Sequence, residues 1–386
     1  MARSGGPVIL PLPLLSLFLL VSACVAQPPP KFRCTSKSKC QALVGYVPPR
    51  ETTYEAIRGL FEVGSIYDLY GANGLNETTP TSTKVPANTT VRIPFTCTCR
   101  NGTGVSDRRP VFAVRNGDSL QAIAQEIFGG LVTYQQIAAA NSIGNTSLIN
   151  AGQRLYIPLP CNCDEDSYNT IHLAHIVKAG STLAEVSSEF WASQASLISL
   201  NNISDPKNLL AGQVLDVPLS ACGLFSVRPN SPDFGLLVPN GSYVLTAGNC
   251  IKCICNRPAA EMICFDSPAS VDDVSRGCNR QRCYSEDYPG GELEFGTLYV
   301  SSCTATQCLY AGYDDREILT DTMTRRRTKC GKLHNSGPVT AVALVSLLLE
   351  HGCPSRRRVN LILPPLSGLG FGKIYTIRLD GRERDP

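Results

Sequence analysis

Apolar side chains recur at helical spacing in two stretches of the first half of the chain. Side chains three and four positions apart lie on one face of an α-helix, so each stretch predicts an amphipathic helix. The apolar positions are Leu120, Ile123, Ala124 and Ile127 in one stretch, and Leu183, Val186 and Phe190 in the other.

Polar residues mark where these helices and their successors begin. Thr182 precedes Glu185 by three positions, which is the spacing of a capping box at a helix N-terminus. Thr133 stands in the same relation to Gln136, and it predicts a second helix that carries Ile137.

Short alternating segments on either side of the helices predict strands. Leu155 and Ile157 alternate with more polar neighbours, and Pro158 is expected to end that strand, as Pro218 is expected to end the corresponding one. The order strand, helix, helix, strand predicts an α+β fold.

This βααβ pattern repeats after about 60 residues. We call residues 111–158 the second unit and residues 174–218 the third unit, because a weaker first unit over residues 34–96 precedes them. The first unit lacks the Gly-Gln turn before its last strand. An asparagine follows the second helix each time and is expected to close it in the left-handed conformation. These asparagines are Asn73, Asn141 and Asn201.

Length and charge set broad limits on the function. A chain of 386 residues with 43% hydrophobic and 17% charged residues is expected to hold two or three folded domains. A net charge of +3 gives no reason to expect nucleic acid or anionic lipid as the main ligand.

The N-terminus has the layout of a secretory signal. The apolar run from Ile9 to Val21 follows Arg3, and Ala26 suits cleavage, so residues 1–26 are predicted to be a signal peptide. The alternative is a bacterial lipoprotein signal ending at Cys24. Six Asn-x-Ser/Thr sequons favour a glycosylated eukaryotic secretory protein instead. They begin at Asn76, Asn88, Asn101, Asn145, Asn202 and Asn240.

The chain has 18 cysteines, which in an oxidising compartment are expected to form disulfides. Without Cys24 and Cys353 they divide into an even group before residue 164 and an even group in residues 222–330, which predicts a separate cysteine-rich domain. Neighbours such as Cys97 and Cys99 are too close to pair directly, and the first group alone allows fifteen pairings. The closely spaced thiols from Cys250 to Cys255 leave zinc as an alternative, but the secretory signal favours disulfides.

Three motifs together resemble the LysM domain: the Val-x-x-Gly-Asp-Ser-Leu opening, the asparagine after the second helix, and the Gly-Gln-x-Leu-x-Ile-Pro ending. Three such units separated by Cys-x-Cys pairs are similar to plant LysM pattern-recognition proteins of the chitin elicitor-binding type. The resemblance implies βααβ units that bind chitin or peptidoglycan fragments, a LysM receptor kinase as signalling partner, and no cofactor or metal. It also implies the pairs Cys34–Cys99, Cys40–Cys163 and Cys97–Cys161.

Within that family the ligand lies between the loop after the first strand and the loop before the last strand. Such a ligand carries no charge, so it needs backbone donors and a few apolar contacts. The alternative for Asp118, Ser119 and Leu120 is structural, as helix cap and core. On the second unit the candidate residues are Asn116, Gly117, Asp118, Ser119, Leu120 and Gln121 in the first loop, and Gly144, Asn145, Thr146, Ser147, Leu148 and Ile149 in the second.

No catalytic function is predicted. A glycosidase needs two carboxylates that flank the bond, and the acidic runs at 164–166, 272–273 and 314–315 lie in no catalytic frame. We therefore expect a receptor, and we expect that a long ligand can bring several copies of it together. The alternatives are a secreted protein that sequesters chitin and a carbohydrate-binding subunit of a hydrolase.

The C-terminal tail, residues 331–386, departs from the usual glycolipid-anchor signal. Small residues from Asn335 to Gly337 could accept an anchor, and the run from Pro338 to Leu349 is apolar. The polar spacer between them is almost absent, and the chain continues to a polar end. Surface association through a GPI anchor is expected, with a released form as the alternative.

Overall fold

The computed structural model describes the chain with several gaps. No helix within the described residues is long and apolar enough to cross a bilayer. The described residues are 32, 34, 39–100, 102–163, 169–224, 226–256, 261–267, 278, 281–286, 288, 290–300, 304–314, 317–326, 338–340, 359–362 and 374–377.

The first unit has two helices between two long strands. Thr53 caps the first helix by accepting a hydrogen bond from the Ala56 amide, and Ser65 forms a capping box with Asp68 at the second. Its elements are β1 (Lys39–Tyr46), β2 (Thr52–Thr53), α1 (Tyr54–Phe61), α2 (Ile66–Ala72), β3 (Lys84–Val85) and β4 (Val91–Arg100).

The second unit follows the predicted order. Leu120, Ile123 and Ala124 are buried as the helical spacing predicts, but the helix widens into a π-helical turn at Ile123–Ile127. The capping box of Thr133 and Gln136 is confirmed. The elements are β5 (Thr103–Ser106), β6 (Val111–Ala113), α3 (Leu120–Ala122), α4 (Tyr134–Ala140), β7 (Arg154–Tyr156) and β8 (Pro160–Cys161).

The third unit also begins its first helix with the predicted capping box, between Thr182 and Glu185. The prediction that Pro218 ends the last strand was wrong, because that strand continues to Gly223. Proline is tolerated at this point because, among the described strands, Pro218 pairs only with the first strand of this unit, and the strand on the other side begins its pairing further along, at Ala221. The elements are β9 (Thr170–Ile176), α5 (Leu183–Phe190), α6 (Gln194–Asn201), a 3₁₀ turn (Pro206–Asn208) and β10 (Val214–Gly223).

The asparagine after each second helix holds that helix to the closing strand. The Asn141 amide nitrogen donates to the carbonyls of Ile137 (2.8 Å) and Tyr156 (2.7 Å), and its Oδ1 accepts from the Tyr156 amide at 2.9 Å. Asn73 and Asn201 make the same three bonds in their units. The expectation of a left-handed asparagine was wrong, since Asn141 has a φ of −109°. The side chain bridges backbone groups, which is a role that amide donors and an acceptor fit.

One seven-stranded sheet combines strands of the first and third units with β5 and β8, which flank the second unit, and with β11 (Leu237–Pro239). The strand order is β11-β10-β9-β1-β4-β5-β8. Strand β1 pairs antiparallel with β4 of its own unit and parallel with β9 of the third unit. The second unit contributes its own pair, β6 with β7, and shares an apolar core with the first unit. In that shared core the Phe128 ring meets the rings of Phe61 and Phe112 edge-on, at 5.6 and 6.0 Å.

Three disulfides tie the units together: Cys34–Cys99, Cys40–Cys163 and Cys97–Cys161. Cys97 and Cys161 are fully buried, at 0% and 1% exposure. The sulfurs of Cys40, Cys97 and Cys163 lie within 4.8 Å of one another, but each belongs to a disulfide and offers no thiolate to a metal ion.

The cysteine-rich region begins inside β10 and is built from short strands. The cysteines of the zinc alternative are in disulfides: Cys222–Cys255, Cys250–Cys278 and Cys253–Cys264. A fourth disulfide, Cys283–Cys308, joins two further strands. The strands of this region are β11 (Leu237–Pro239), β12 (Tyr243–Thr246), β13 (Ile251–Asn256), β14 (Glu261–Asp266), β15 (Arg282–Tyr284), β16 (Glu292–Glu294), β17 (Thr297–Val300), β18 (Thr304–Asp314) and β19 (Glu317–Arg326). The C-terminal tail contains β20 (Pro338–Thr340), β21 (Val359–Ile362) and β22 (Ile374–Ile377).

This region packs on the first unit through β12. The Ser242 hydroxyl donates to the Ala72 carbonyl at 3.3 Å, and the Lys252 ammonium forms a largely buried ion pair with Glu77. The same ammonium lies 4.1 Å from the centre of the Tyr243 ring. The cysteine-rich region is therefore held against helix α2 by polar as well as apolar contacts.

Gly71 of α2 permits this close packing, and replacing it with alanine is expected to lower the free energy of unfolding by about 2 kcal/mol. A Cβ at Gly71 would lie 2.2 Å from the Tyr243 carbonyl oxygen, so the two segments would have to separate. The matched control is Gly59→Ala in α1, where the added Cβ would have no described atom within 4 Å outside its own helix backbone and chain neighbours. The free energy of unfolding of that variant should rise by up to about 1 kcal/mol, because alanine favours a helix interior more than glycine does. Thermal unfolding measures the stability of both variants. Equal changes in Gly71→Ala and Gly59→Ala would contradict the packing argument.

Candidate functional site

The two candidate loops leave the second unit side by side. Strands β6 and β7 pair in register from Val111 with Tyr156 to Ala113 with Arg154. The Val114 amide then donates to the Gln153 carbonyl at 2.9 Å, and the Gly152 amide donates back to Val114 at 2.8 Å. Because the pairing ends there, residues 116–121 and 144–149 extend from the same end of this small sheet.

The first loop is a tight turn that leads directly into α3. Gly117 has a φ of +86°, which glycine adopts without strain. The Asp118 carboxylate accepts a hydrogen bond from the Arg115 amide at 2.8 Å. Ser119 caps the helix by accepting from the Ala122 amide at 3.1 Å, and Leu120 is 1% exposed. Ser119 and Leu120 thus serve the fold, in the structural roles that the sequence left open for them.

Three candidates of the first loop are exposed and neither cap a helix nor lie in the core, whereas Ser119 is exposed but its hydroxyl caps α3. Asn116, Gly117 and Gln121 are exposed, while Asp118 is half-buried. Asp118 is the only ionisable side chain among the twelve candidate residues. A surface of amides, hydroxyls and backbone with a single carboxylate suits a neutral ligand rich in hydrogen-bonding groups.

The second loop presents an apolar tip. The Asn145 side chain accepts a hydrogen bond from the Ser147 amide at 3.0 Å and folds residues 145–148 into a turn. This turn leaves the Leu148 side chain 69% exposed, whereas Ile149 packs partly against the core. Gly144, Asn145, Thr146 and Ser147 are exposed as well. An exposed leucine between polar groups can contact a methyl group or a sugar face.

Most of the predicted sequons lie on the surface. Asn88, Asn145 and Asn202 are exposed, Asn240 is half-buried, and the Asn76 side chain accepts bonds from the amide and hydroxyl of Thr78. Asn101, the signal peptide and the predicted anchor residues 335–337 lie outside the described residues. Asn145 belongs both to a sequon and to the candidate site, so a glycan there would stand beside the ligand.

A buried polar cluster in the third unit was missed by the sequence analysis. Asp216 accepts hydrogen bonds from the Asn162 amide at 2.6 Å and lies 2.7 Å from His172 Nδ1. All three residues are buried, with at most 4% of their surface exposed. The cluster ties the Cys161–Cys163 linker to the closing strand of the third unit. The signal was available, because Asp216 interrupts an otherwise apolar strand.

The family model and the relatives that match over most of the chain indicate the LysM family. The LysM domain model matches residues 113–158 and 175–218, the second and third units. The "LysM domain-containing GPI-anchored protein 2" of Arabidopsis thaliana is 40% identical over 308 residues, covering 79% of this chain and 85% of that protein. The "Chitin elicitor-binding protein" of Oryza sativa subsp. japonica is 38% identical over 306 residues, covering 78% and 83%.

A more distant relative is a receptor kinase. The "Chitin elicitor receptor kinase 1" of Physcomitrium patens is 26% identical over 191 residues, covering 49% of this chain and 29% of that protein. The similarity is thus restricted to part of a longer protein.

Proposed function

Since the chain belongs to the family of LysM domain-containing GPI-anchored proteins, we propose that it is a cell-surface pattern-recognition receptor for N-acetylglucosamine polymers in plant innate immunity. The ligand is chitin or a peptidoglycan fragment, and residues 34–96 form a divergent LysM unit. One observation supports the ligand class above others: the second unit presents two adjacent exposed loops with a single carboxylate and an exposed leucine.

The proposed site on the second unit consists of the residues that the fold leaves exposed. Asn116, Gly117 and Gln121 offer backbone and amide groups to the acetamido oxygen and the hydroxyls, and Leu148 contacts the acetamido methyl or a sugar face. The three interlocking disulfides support this role, because they hold the loops on a rigid block and reduce the entropy lost on binding.

Replacing Leu148 with serine is expected to weaken binding of an N-acetylglucosamine octamer about tenfold, which corresponds to about 1.4 kcal/mol. The leucine loses apolar contact area with the ligand, while its exposure keeps the effect on folding small. Titration calorimetry on the secreted protein measures the affinity. The matched control is Phe234→Ser, which replaces a similarly exposed apolar side chain (61%) in the cysteine-rich region.

The titration is best made in a Ser147→Ala background, which removes the glycan from Asn145 without replacing that residue. The turn survives because it uses the Ser147 backbone amide. Absence of heat with chitin oligomers and with peptidoglycan fragments would contradict the ligand class. Normal affinity in Leu148→Ser would instead contradict the position of the site.

Signalling and anchoring are proposed on the family relationship. A LysM receptor kinase transmits the signal, since relatives include both a chitin elicitor-binding protein and a receptor kinase. A long oligomer brings copies together by effective concentration. Co-precipitation of a LysM kinase only in the presence of long oligomers tests the first proposal, and release from membranes by a phospholipase tests the GPI anchor.

A further inference from the structure

A groove of about 700 Å³ separates the second unit from the third. One wall is the connection into α4, with Leu131 and Thr133, and the other is the loop that precedes β10, with Ser204 and Leu209. This loop of the third unit corresponds to residues 144–149 of the second unit. In the second unit the loop faces solvent, whereas in the third it faces a neighbouring unit.

Asn202, the first residue of a sequon, lines this groove. It follows α6 in the left-handed conformation, with a φ of 50°, and its side chain is exposed. Ser204, the third residue of the sequon, lines the groove as well and is exposed. The predicted attachment point of a glycan is therefore at the groove itself.

The lining of the groove is nearly free of charge. Asp205 is the only ionisable side chain among the described residues that line it, and its carboxylate already accepts a bond from the Lys207 amide at 2.9 Å. Gln125, Gln136 and Asn208 supply amides, and leucine and valine side chains supply apolar surface. A volume of this size is ordinary for a small-molecule site.

We propose that this groove holds the chain's own N-glycan, through the N-acetylglucosamine residues next to Asn202. Every N-glycan core starts with a pair of β-1,4-linked N-acetylglucosamines, a neutral unit with two acetamido groups and flat apolar faces. Attachment joins C1 of the first sugar to Asn202 Nδ2, which loses one proton, while the lipid diphosphate of the oligosaccharide donor leaves. The covalent link then supplies the sugar at a high effective concentration, which compensates for a shallow site.

The proposal goes beyond recognition of a soluble ligand and does not depend on it. A third unit that is occupied by its own glycan would leave the second unit as the site for external oligomers. The glycan would also contact both walls and so hold the second and third units together.

Site-resolved deglycosylation of the native protein tests the proposal. Peptide N-glycosidase in ¹⁸O-labelled water, followed by peptide mass spectrometry, gives a release rate for each sequon. Asn88 is the matched control, because it is also exposed and left-handed, with a φ of 63°. We expect the Asn202 glycan to be released at least tenfold more slowly than the Asn88 glycan in the native protein, and at an equal rate after denaturation. Equal native rates, or an Asn202 without glycan, would overturn the proposal.

A groove-filling variant separates occupancy of the groove from other causes of slow release. Asn208 is exposed, lines the groove and lies outside the sequon, so Asn208→Trp blocks the groove without removing the attachment site. Release from Asn202 should then approach the Asn88 rate. Unchanged slow release would show that the glycan is protected elsewhere and would overturn the proposal. The proposal would also be overturned if the native protein released the Asn202 glycan fast and an added N-acetylglucosamine tetramer protected the backbone amides of the groove from hydrogen exchange.

Discussion

Replacing Cys97 and Cys161 together by alanine is expected to lower the free energy of unfolding by about 4 kcal/mol. The disulfide joins residues 64 positions apart, and in the chain-entropy model a loop of that length accounts for about 4 kcal/mol. Both sulfurs are buried at the junction of the first and second units, so their loss also removes packing there. Urea unfolding followed by circular dichroism measures the change.

The control is the pair Cys283→Ala and Cys308→Ala in the cysteine-rich region. Its disulfide spans 25 positions, so it should also stabilise the protein, by about 3 kcal/mol. Binding of an N-acetylglucosamine octamer separates the two variants. Binding should weaken in the variant without Cys97 and Cys161, because its second LysM unit is loosened. Binding should persist in the variant without Cys283 and Cys308. A change in unfolding free energy below about 1 kcal/mol for Cys97 and Cys161 would contradict a clamping role.

Stability is expected to fall by about 3 kcal/mol as the pH decreases from about 6.5 to 4, because of His175 alone. Burial, with a smaller contribution from Lys178, lowers the pKa of His175 from 6.5 to about 4. Between these values the unfolded chain binds a proton that the folded chain does not, so acid favours unfolding. The stability that the neutral His175 side chain contributes is fully present above pH 6.5 and is lost by pH 4, at about 1.4 kcal/mol per pH unit between these values.

The variant His175→Phe isolates this effect from the titration of carboxylates. The imidazole packs edge-on against Phe190 at 4.8 Å, and its Nδ1 has no hydrogen-bond partner among the residues that the structure describes, so an aromatic apolar ring can replace it. Urea unfolding at pH 7.0, 5.5 and 4.0 should show that the free energy of unfolding decreases less with falling pH in the variant than in the wild type. Parallel pH profiles would mean that His175 is protonated in the folded protein.

Local features were predictable from sequence because they depend on neighbours along the chain. The buried face of α3 and the capping boxes at Thr133 and Thr182 follow from spacing alone. The role of Asn141 was not accessible in this way, because its partner Tyr156 belongs to the closing strand. The same limit explains Pro218, whose tolerance depends on which neighbours β10 has in the sheet.

The candidate site shows the same division. Its two loops were located by the LysM motifs, and their adjacency follows from the pairing of β6 with β7. The helical spacing already placed Leu120 on a buried face, but the sequence could not distinguish Leu148, which is exposed, from its neighbour Ile149, which packs partly against the core. The groove beside Asn202 was not predictable either, because its walls come from different units.

The pairing of β1 with β9 has a consequence for the newly made chain. As the chain is made N-terminus first, β1 can pair with β4 early, but its other edge stays open until β9 has followed. Cys40 likewise waits for Cys163, 123 residues later. An unpaired strand edge and an unpaired thiol coexist during that interval, and both can join to wrong partners. Correct folding therefore requires β1 and Cys40 to avoid wrong partners until β9 and Cys163 have been made.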